Sequence, residues 1–295
     1  MQTLVYLTLI YFLFGSIIGS FLSVCAYRIP MGKYEPIHEG VKELNRTLSI
    51  MSPARSFCPK CEQTLSWWHN IPLVSWIILK GRCGHCGAKI PFRYFFIELL
   101  TGLLCALTFL RFGPSATGLV AFLFISLFII ITFIDIDYMI IPDVITYPAT
   151  CLGLVIGIVN WLAPSPLLRY PFVSAPLGSI LGLLMGPGLL FAVWWIYFKI
   201  RKREGLGLGD VKFLAVVGAT FGMESAWFTI FAGSILGSVF AICALIGRRG
   251  SFGSYFPFGP YLVAAAIAYI LDLHLLIGHL VNPATPLTWW IAAQV

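Results

Sequence analysis

The chain has 295 residues, of which 59% are apolar and only 11% are charged, and its mean hydropathy is strongly positive. A soluble globular protein does not need that much apolar surface, so the composition predicts a polytopic membrane protein. The formal net charge of +7 does not indicate a nucleic-acid partner, because the basic residues cluster between apolar segments, as membrane topology produces.

Apolar segments follow one another along the whole chain. Most of them reach the roughly 20 residues that a helix needs to cross the hydrocarbon layer. The first segment lacks a basic flank and is too long for a cleaved signal peptide, so we expect it to be retained. The sequence predicts an all-α polytopic membrane protein with about eight transmembrane helices, at residues 4–26, 95–112, 117–135, 144–163, 173–198, 212–223, 225–247 and 257–281.

A polar block at residues 27–94 separates the first transmembrane helix (1–26) from the multi-helix domain (95–295), and it contains CPKC at 58–61 and CGHC at 83–86. Two C-x-x-C pairs at this separation are typical of a four-cysteine zinc site. Four thiolates leave no open position for water, so we expect a structural ion. Two disulfides or four free thiols are the alternatives, and a cytoplasmic location disfavours disulfides. The predicted ligands are Cys58, Cys61, Cys83 and Cys86.

The distribution of basic residues predicts the orientation in the membrane. Lys and Arg are concentrated in three segments, at 27–94, 199–212 and 247–250. The loops expected on the other side contain only Arg111 and Arg169. By the positive-inside rule, all three basic segments face the cytoplasm.

Carboxylates near the ends of apolar segments are the candidate catalytic groups, because charges at the membrane are costly and usually functional. FIDIDYMIIPD (133–143) places Asp135 at the end of the third segment, and GLGLGD places Asp210 at the start of the sixth. Taken singly, Asp143 and Asp210 could be helix-capping anions, and Asp137 a solvated loop residue.

Together these carboxylates suggest a catalytic site. The predicted topology brings the ends carrying Asp135 and Asp210 to one membrane face. Two adjacent carboxylates share a proton, so one can act as base toward water while the other polarises a carbonyl. This is the chemistry of aspartic proteases. H-E-x-x-H and G-x-S-x-G are both missing from the sequence, so neither signature supports a zinc protease or a serine hydrolase.

Seven motifs follow one another along nearly the whole chain: GSFLSVCAYRIP (19–30), CPKC, NIPLVSW (70–76), GRCGHCGAKIPFRYFFIELLTG (81–102), FIDIDYMIIPD, GLGLGDVKFLA (205–215) and PFGPYL (257–262). In this order they resemble the bifunctional type IV prepilin peptidases of bacteria. The sequence departs from the family pattern at two positions, with Ser23 where Asn is expected and Phe213 where Leu is expected.

The resemblance implies an inner-membrane enzyme with two activities. It removes the basic leader of type IV prepilins or type II secretion pseudopilins on the cytoplasmic side, and it then methylates the new N-terminal residue with S-adenosylmethionine. By the same resemblance Asp135 and Asp210 are the catalytic pair. The expected supporting residues are Asp143, Gly207, Gly209 and Lys212.

Glu98 is a candidate for the methyl-transfer activity, since it lies at the mouth of the second segment beside the cysteine block. The alternative is a local pairing with Arg93 or a backbone group.

Two other functions compete with the enzyme. In the first, the chain is an ion- or proton-coupled transporter whose aspartates bind ions, with the zinc domain as a gate. The lack of an internal repeat and of mid-span carboxylates disfavours it. In the second, the chain is a non-enzymatic adaptor of a membrane assembly, which predicts that neutralising both aspartates leaves function intact.

Overall fold

The structure is a computed structural model that describes residues 2–31, 55–58, 60–163, 168–202, 207–246 and 257–273. Over these ranges the chain is mostly helical, and β-structure is confined to two isolated bridges, Phe57 with Thr64 and Arg82 with Lys89. The predicted all-α class is confirmed. The helices are α1 (Gln2–Arg28), α2 (Val74–Ile78), α3 (Phe92–Phe112), α4 (Ala116–Tyr138), α5 (Asp143–Leu162), α6 (Pro176–Arg201), α7 (Leu208–Ile246) and α8 (Gly259–Ile270), with a short 3₁₀ turn at Trp67–Asn70.

Six of these helices, α1 and α3 to α7, are long and apolar enough to cross a membrane. The protein is therefore a membrane protein. The sequence predicted about eight crossings. The predicted sixth and seventh segments both lie in α7, as two helical parts separated by Gly222, which has φ 88° and ψ 179°. Only glycine adopts such a conformation readily. Leu214, before this break, and Ile230, after it, pack in one cluster with Leu190 of α6, so the chain turns back at Gly222. The eighth segment contains α8, which has 12 residues, and its residues 274–281 lie outside the described ranges.

The chain divides into two compact units, 1–114 with 122–138, and 115–121 with 139–295. In the first unit, α1 and α3 approach closely through small residues. A Cβ added at Gly19 of α1 would lie 2.8 Å from the Cα of Glu98, and one added at Gly102 of α3 would lie 2.9 Å from the carbonyl oxygen of Phe12. Such contacts are typical of membrane helices, which associate through close backbone packing.

In the second unit, α5, α6 and α8 pack around α7. The side chain of Asn160, near the end of α5, holds the following loop. It donates to the carbonyl oxygens of Leu168 and Val173 at 2.9 and 2.8 Å and accepts the Leu168 N–H at 2.9 Å. These bonds satisfy a buried amide and hold residues 168–173, which precede α6, against the end of α5.

Candidate active site

Asp135 lies in the last turn of α4, where an apolar helix ends. The residue is only 5% exposed. The helix stops three residues later, because Met139 has a positive φ of 51° and Pro142 follows shortly afterwards. A carboxyl group buried at the end of an apolar helix is costly, which agrees with a functional role.

Asp210 lies in the first turn of α7 and is 7% exposed. Its N–H donates to the carbonyl oxygen of Gly207 at 3.1 Å. The positive end of the helix dipole favours a carboxylate at this position. Asp135 belongs to the first unit and Asp210 to the second, and their pairing stays a prediction.

Asp143 and Lys212 are two of the expected supporting residues, and the structure brings them together. Asp143 is the first residue of α5, and its Oδ1 accepts a hydrogen bond from Nζ of Lys212 at 2.5 Å. The ammonium group also lies 5.6 Å from the centre of the Tyr147 ring. Both partners are partly exposed, with 49% of the Asp143 side chain and 34% of the Lys212 side chain accessible. An ion pair this exposed contributes little to the stability of the fold. Its main effect is to hold the N-terminal ends of α5 and α7 together.

The two glycines before Asp210 have different surroundings. A Cβ added at Gly209 would lie 3.1 Å from the Cβ of Ile141, a tight contact with the turn between α4 and α5. A Cβ added at Gly207 would be in ordinary van der Waals contact, 3.6 Å from the Oδ2 of Asp210 and 3.9 Å from the backbone nitrogen of Gly209. Gly209 is thus required for close packing, whereas Gly207 is not required by any described contact.

Asp137 lies in the last turn of α4 and forms an ion pair with Arg93 of α3. Nη2 of the same arginine donates to the carbonyl oxygen of Phe133 at 2.8 Å. Interpreting Asp137 as a solvated loop residue is therefore wrong, because this carboxylate has a charged partner and is mostly shielded.

The four cysteines converge, and their Sγ atoms all lie within 4.8 Å of one another. The two C-x-x-C turns close with the same backbone hydrogen bond. The residue after the second cysteine donates its N–H to the carbonyl oxygen of the first, from Glu62 to Cys58 at 2.8 Å and from Gly87 to Cys83 at 2.9 Å. Both donors have positive φ, 55° and 68°. In the first turn Glu62 therefore adopts the left-handed backbone conformation that Gly87 adopts in the second.

The electrostatics of the second turn favour a thiolate. The backbone N–H groups of Cys86 and His85 hydrogen-bond to Cys83 and lower the pKa of its thiol to about 7, although burial opposes the shift. Thiolates are the form that binds zinc. The donor set, its spacing and its charge fit a tetrahedral zinc ion.

Glu98 is buried in α3 and does not pair with Arg93. Its Oε2 accepts the backbone N–H of Leu73 at 2.7 Å, and the Ser20 hydroxyl is a second partner. Leu73 has a positive φ of 62° and directly precedes α2. Glu98 thus binds a backbone group, as the alternative expected, and it holds α2 in place.

Sequence reasoning missed one feature of the first unit. It considered Arg93 only as a partner of Glu98, whereas the structure places Arg93 against α4 in a cavity with three aromatic rings. Its position in the first turn of an apolar helix, where a charge is costly, is the signal that could have singled it out.

Comparison with known proteins gives matches along most of the chain. Residues 13–112 match the family model of the bacterial peptidase A24 N-terminal domain, and residues 122–242 match that of the type IV leader peptidase family. A prepilin leader peptidase/N-methyltransferase of Aeromonas salmonicida strain A449 is 33% identical over 265 residues, which cover 86% of this chain and 87% of that protein. Proteins with the same name from Neisseria gonorrhoeae (34% identical, 85% of each chain) and Pseudomonas putida (32% identical, 87% of this chain and 88% of that one) are similar. No solved structure matches significantly.

Proposed function

The chain belongs to the type IV leader peptidase family, and we propose that Asp135 and Asp210 carry out its peptidase reaction. The protein is an enzyme, a prepilin leader peptidase and N-methyltransferase, and the comparisons give no support to the transporter alternative. The substrates are type IV prepilins or the related pseudopilins of type II secretion, and their leaders are removed at the cytoplasmic face of the bacterial inner membrane.

The proposed reaction needs one proton shared between two carboxyl groups. The ionised carboxylate takes a proton from a water molecule, whose oxygen adds to the scissile carbonyl carbon. The protonated partner donates its proton to the carbonyl oxygen. When the tetrahedral intermediate collapses, the C–N bond breaks and the leaving amine takes up a proton. The cleaved products are the leader, with a new carboxylate, and the mature subunit, with a free α-amine.

One observation carries this proposal: the FIDIDYMIIPD and GLGLGD segments each present a nearly buried aspartate at a helix end. The Asp143–Lys212 ion pair would hold the first turn of α7 and thereby orient Asp210. The close approach of Gly209 to Ile141 would be a second constraint on the same turn.

S-adenosylmethionine is the methyl donor that the methyltransferase activity implies, and it supplies a methyl group to the new α-amine. We assign Glu98 a positioning role in this activity. Through Leu73 it holds α2, whose Trp76 packs on Phe92 and Phe95 at ring-centroid distances of 5.6 and 5.2 Å.

Zinc bound by Cys58, Cys61, Cys83 and Cys86 would have a structural role in the inserted domain at residues 27–94. A block of this size has a small core, and a metal commonly supplies the missing stability. On the proposed orientation this domain lies on the cytoplasmic side of the membrane.

Incubation of purified enzyme in detergent with a prepilin, followed by mass spectrometry, tests the proposed function. We expect loss of the leader without S-adenosylmethionine, and loss of the leader plus a mass increase of one methyl group with it. An unprocessed prepilin in both reactions would contradict the proposal.

A further inference from the structure

A cavity of about 460 Å³ lies in the first unit, between the first turns of α3 and the last turns of α4. Its volume falls within the range of about 300–1,000 Å³ that is usual for small-molecule sites. Three of its six lining residues are aromatic, and the others are one isoleucine, one arginine and one aspartate. The lining residues are Phe92, Arg93, Phe96, Phe133, Ile136 and Asp137.

The charged wall of the cavity consists of the Arg93–Asp137 ion pair. The guanidinium group also lies 5.3 Å from the centre of the Phe133 ring. An arginine has five N–H donors and a carboxylate accepts several hydrogen bonds. Arg93 and Asp137 can therefore each bind a ligand group of opposite charge while they remain paired with one another.

We propose that this cavity binds the S-adenosyl methyl donor, an inference that rests on the proposed function. The donor carries an α-carboxylate, an α-ammonium group, a sulfonium cation and an adenine ring. The Arg93–Asp137 pair is complementary to the zwitterionic end, with arginine facing carboxylate and aspartate facing ammonium. Aromatic faces attract a cation through their ring quadrupole, and they stack on a planar base.

Neighbouring rings support the aromatic wall. Phe92 contacts both Phe96 and Trp76, at ring-centroid distances of 6.4 and 5.6 Å, and Phe96 contacts Phe133 edge-to-face at 6.2 Å. Trp76 belongs to α2, which Glu98 holds through Leu73. Glu98 thus positions the aromatic wall of the cavity indirectly, through Leu73 and Trp76.

The cavity is separate from the proposed peptidase residue on the same helix. Phe133 and Asp137 are four residues apart and share one face of α4, whereas Asp135 is two residues from each. Residues two apart point to nearly opposite sides of a helix. Cleavage and methylation would therefore use different faces of one helix turn, and substitutions should separate the two activities.

Binding of S-adenosylhomocysteine to the full-length enzyme in detergent, measured by calorimetry, tests the proposal. Two substitutions alter the cavity: Phe96→Leu removes an aromatic face but keeps apolar volume, and Arg93→Gln removes the charge. Phe21→Leu and Arg111→Gln are matched controls in the same unit. Phe21 is 51% exposed and Phe96 43%, and Arg111 also lies over a phenylalanine ring, at 5.1 Å.

We expect each cavity variant to bind the probe about tenfold or more weakly than wild type, and each control to bind within about twofold. Cleavage of a prepilin reports whether a variant is folded, and if Arg93→Gln fails to cleave, the result for Phe96→Leu decides. Unchanged binding in a folded Phe96→Leu enzyme would overturn the proposal, as would equal weakening in the controls. Either outcome would point to a lipid chain or a substrate side chain as the occupant of the cavity. A wild-type enzyme that cleaves but neither binds the probe nor methylates would instead refute the methyltransferase half of the proposed function.

Discussion

Lys212 and Asp143 form an ion pair that joins the first turn of α7 to the first residue of α5, with Nζ and Oδ1 2.5 Å apart. The proposed catalytic residue Asp210 lies two positions before Lys212 in the same turn. An ion pair with both partners exposed to this extent contributes at most about 1 kcal/mol to stability. Its contribution to catalysis would be to hold the first turn of α7 in position.

Breaking this pair should affect cleavage more than stability. We expect Lys212→Met and Asp143→Asn each to lower kcat/KM for prepilin cleavage about 3- to 30-fold, because a small displacement of a catalytic group is costly. The double variant should be no worse than either single one, since both remove the same contact. Kinetics and thermal unfolding of the four proteins measure this, and fully additive losses would show that the residues act independently.

The two glycines before Asp210 should differ in their tolerance of a side chain. Gly209→Ala would press a methyl group against Ile141 and shift the start of α7, so we expect cleavage to fall by about tenfold or more. Gly207→Ala meets no such neighbour and should retain most activity. Each variant is the control for the other in a prepilin cleavage assay. A larger loss at Gly207 would contradict the packing argument and would indicate that the substrate needs the space there.

Asp137→Asn should separate the two activities. Asp137 pairs with Arg93 and faces the aromatic cavity, so we expect prepilin cleavage within about threefold of wild type, with a clear loss of S-adenosylhomocysteine binding. Cleavage and calorimetry on one preparation measure both effects. A loss of cleavage as complete as that expected for Asp135→Asn would mean that Asp137 belongs to the peptidase pair.

Replacing a cysteine of the four-cysteine cluster should act through folding. Cys58 and Cys83 are 8% and 6% exposed, and their thiols converge with those of Cys61 and Cys86. We expect Cys58→Ser and Cys86→Ser to lower the yield of folded protein and its zinc content, with activity falling in proportion. Cys105→Ser, at a buried cysteine of α3, is the control that should leave the zinc content unchanged. A well-folded, zinc-free variant with no cleavage would contradict a purely structural role.

Features that depend on local sequence were predictable. The apolar segments located the membrane helices, and the spacing of CPKC and CGHC predicted the cysteine cluster before any geometry was known. The division between the sixth and seventh segments was also predictable, since residue 224, where the sequence placed it, lies two positions from Gly222, whose non-helical backbone separates the two parts of α7.

Features that depend on tertiary contacts could not be predicted. The partner of Arg93 could have been Glu98, five residues away on α3, or a residue of another helix. The structure shows Asp137, 44 positions further along the chain. Equally, nothing in the sequence marks Leu73 as the donor to Glu98, since this bond depends on how the inserted domain packs on α3.

Prepilin cleavage by Asp135→Asn and Asp210→Asn enzymes tests the central claim most directly. Asparagine preserves size and polarity but cannot share a proton. We expect each single variant to lose cleavage by about a thousandfold or more, with zinc content and S-adenosylhomocysteine binding equal to wild type. Retained cleavage in both variants would contradict the account, because these aspartates would then be helix-end anions and the catalytic pair would lie elsewhere.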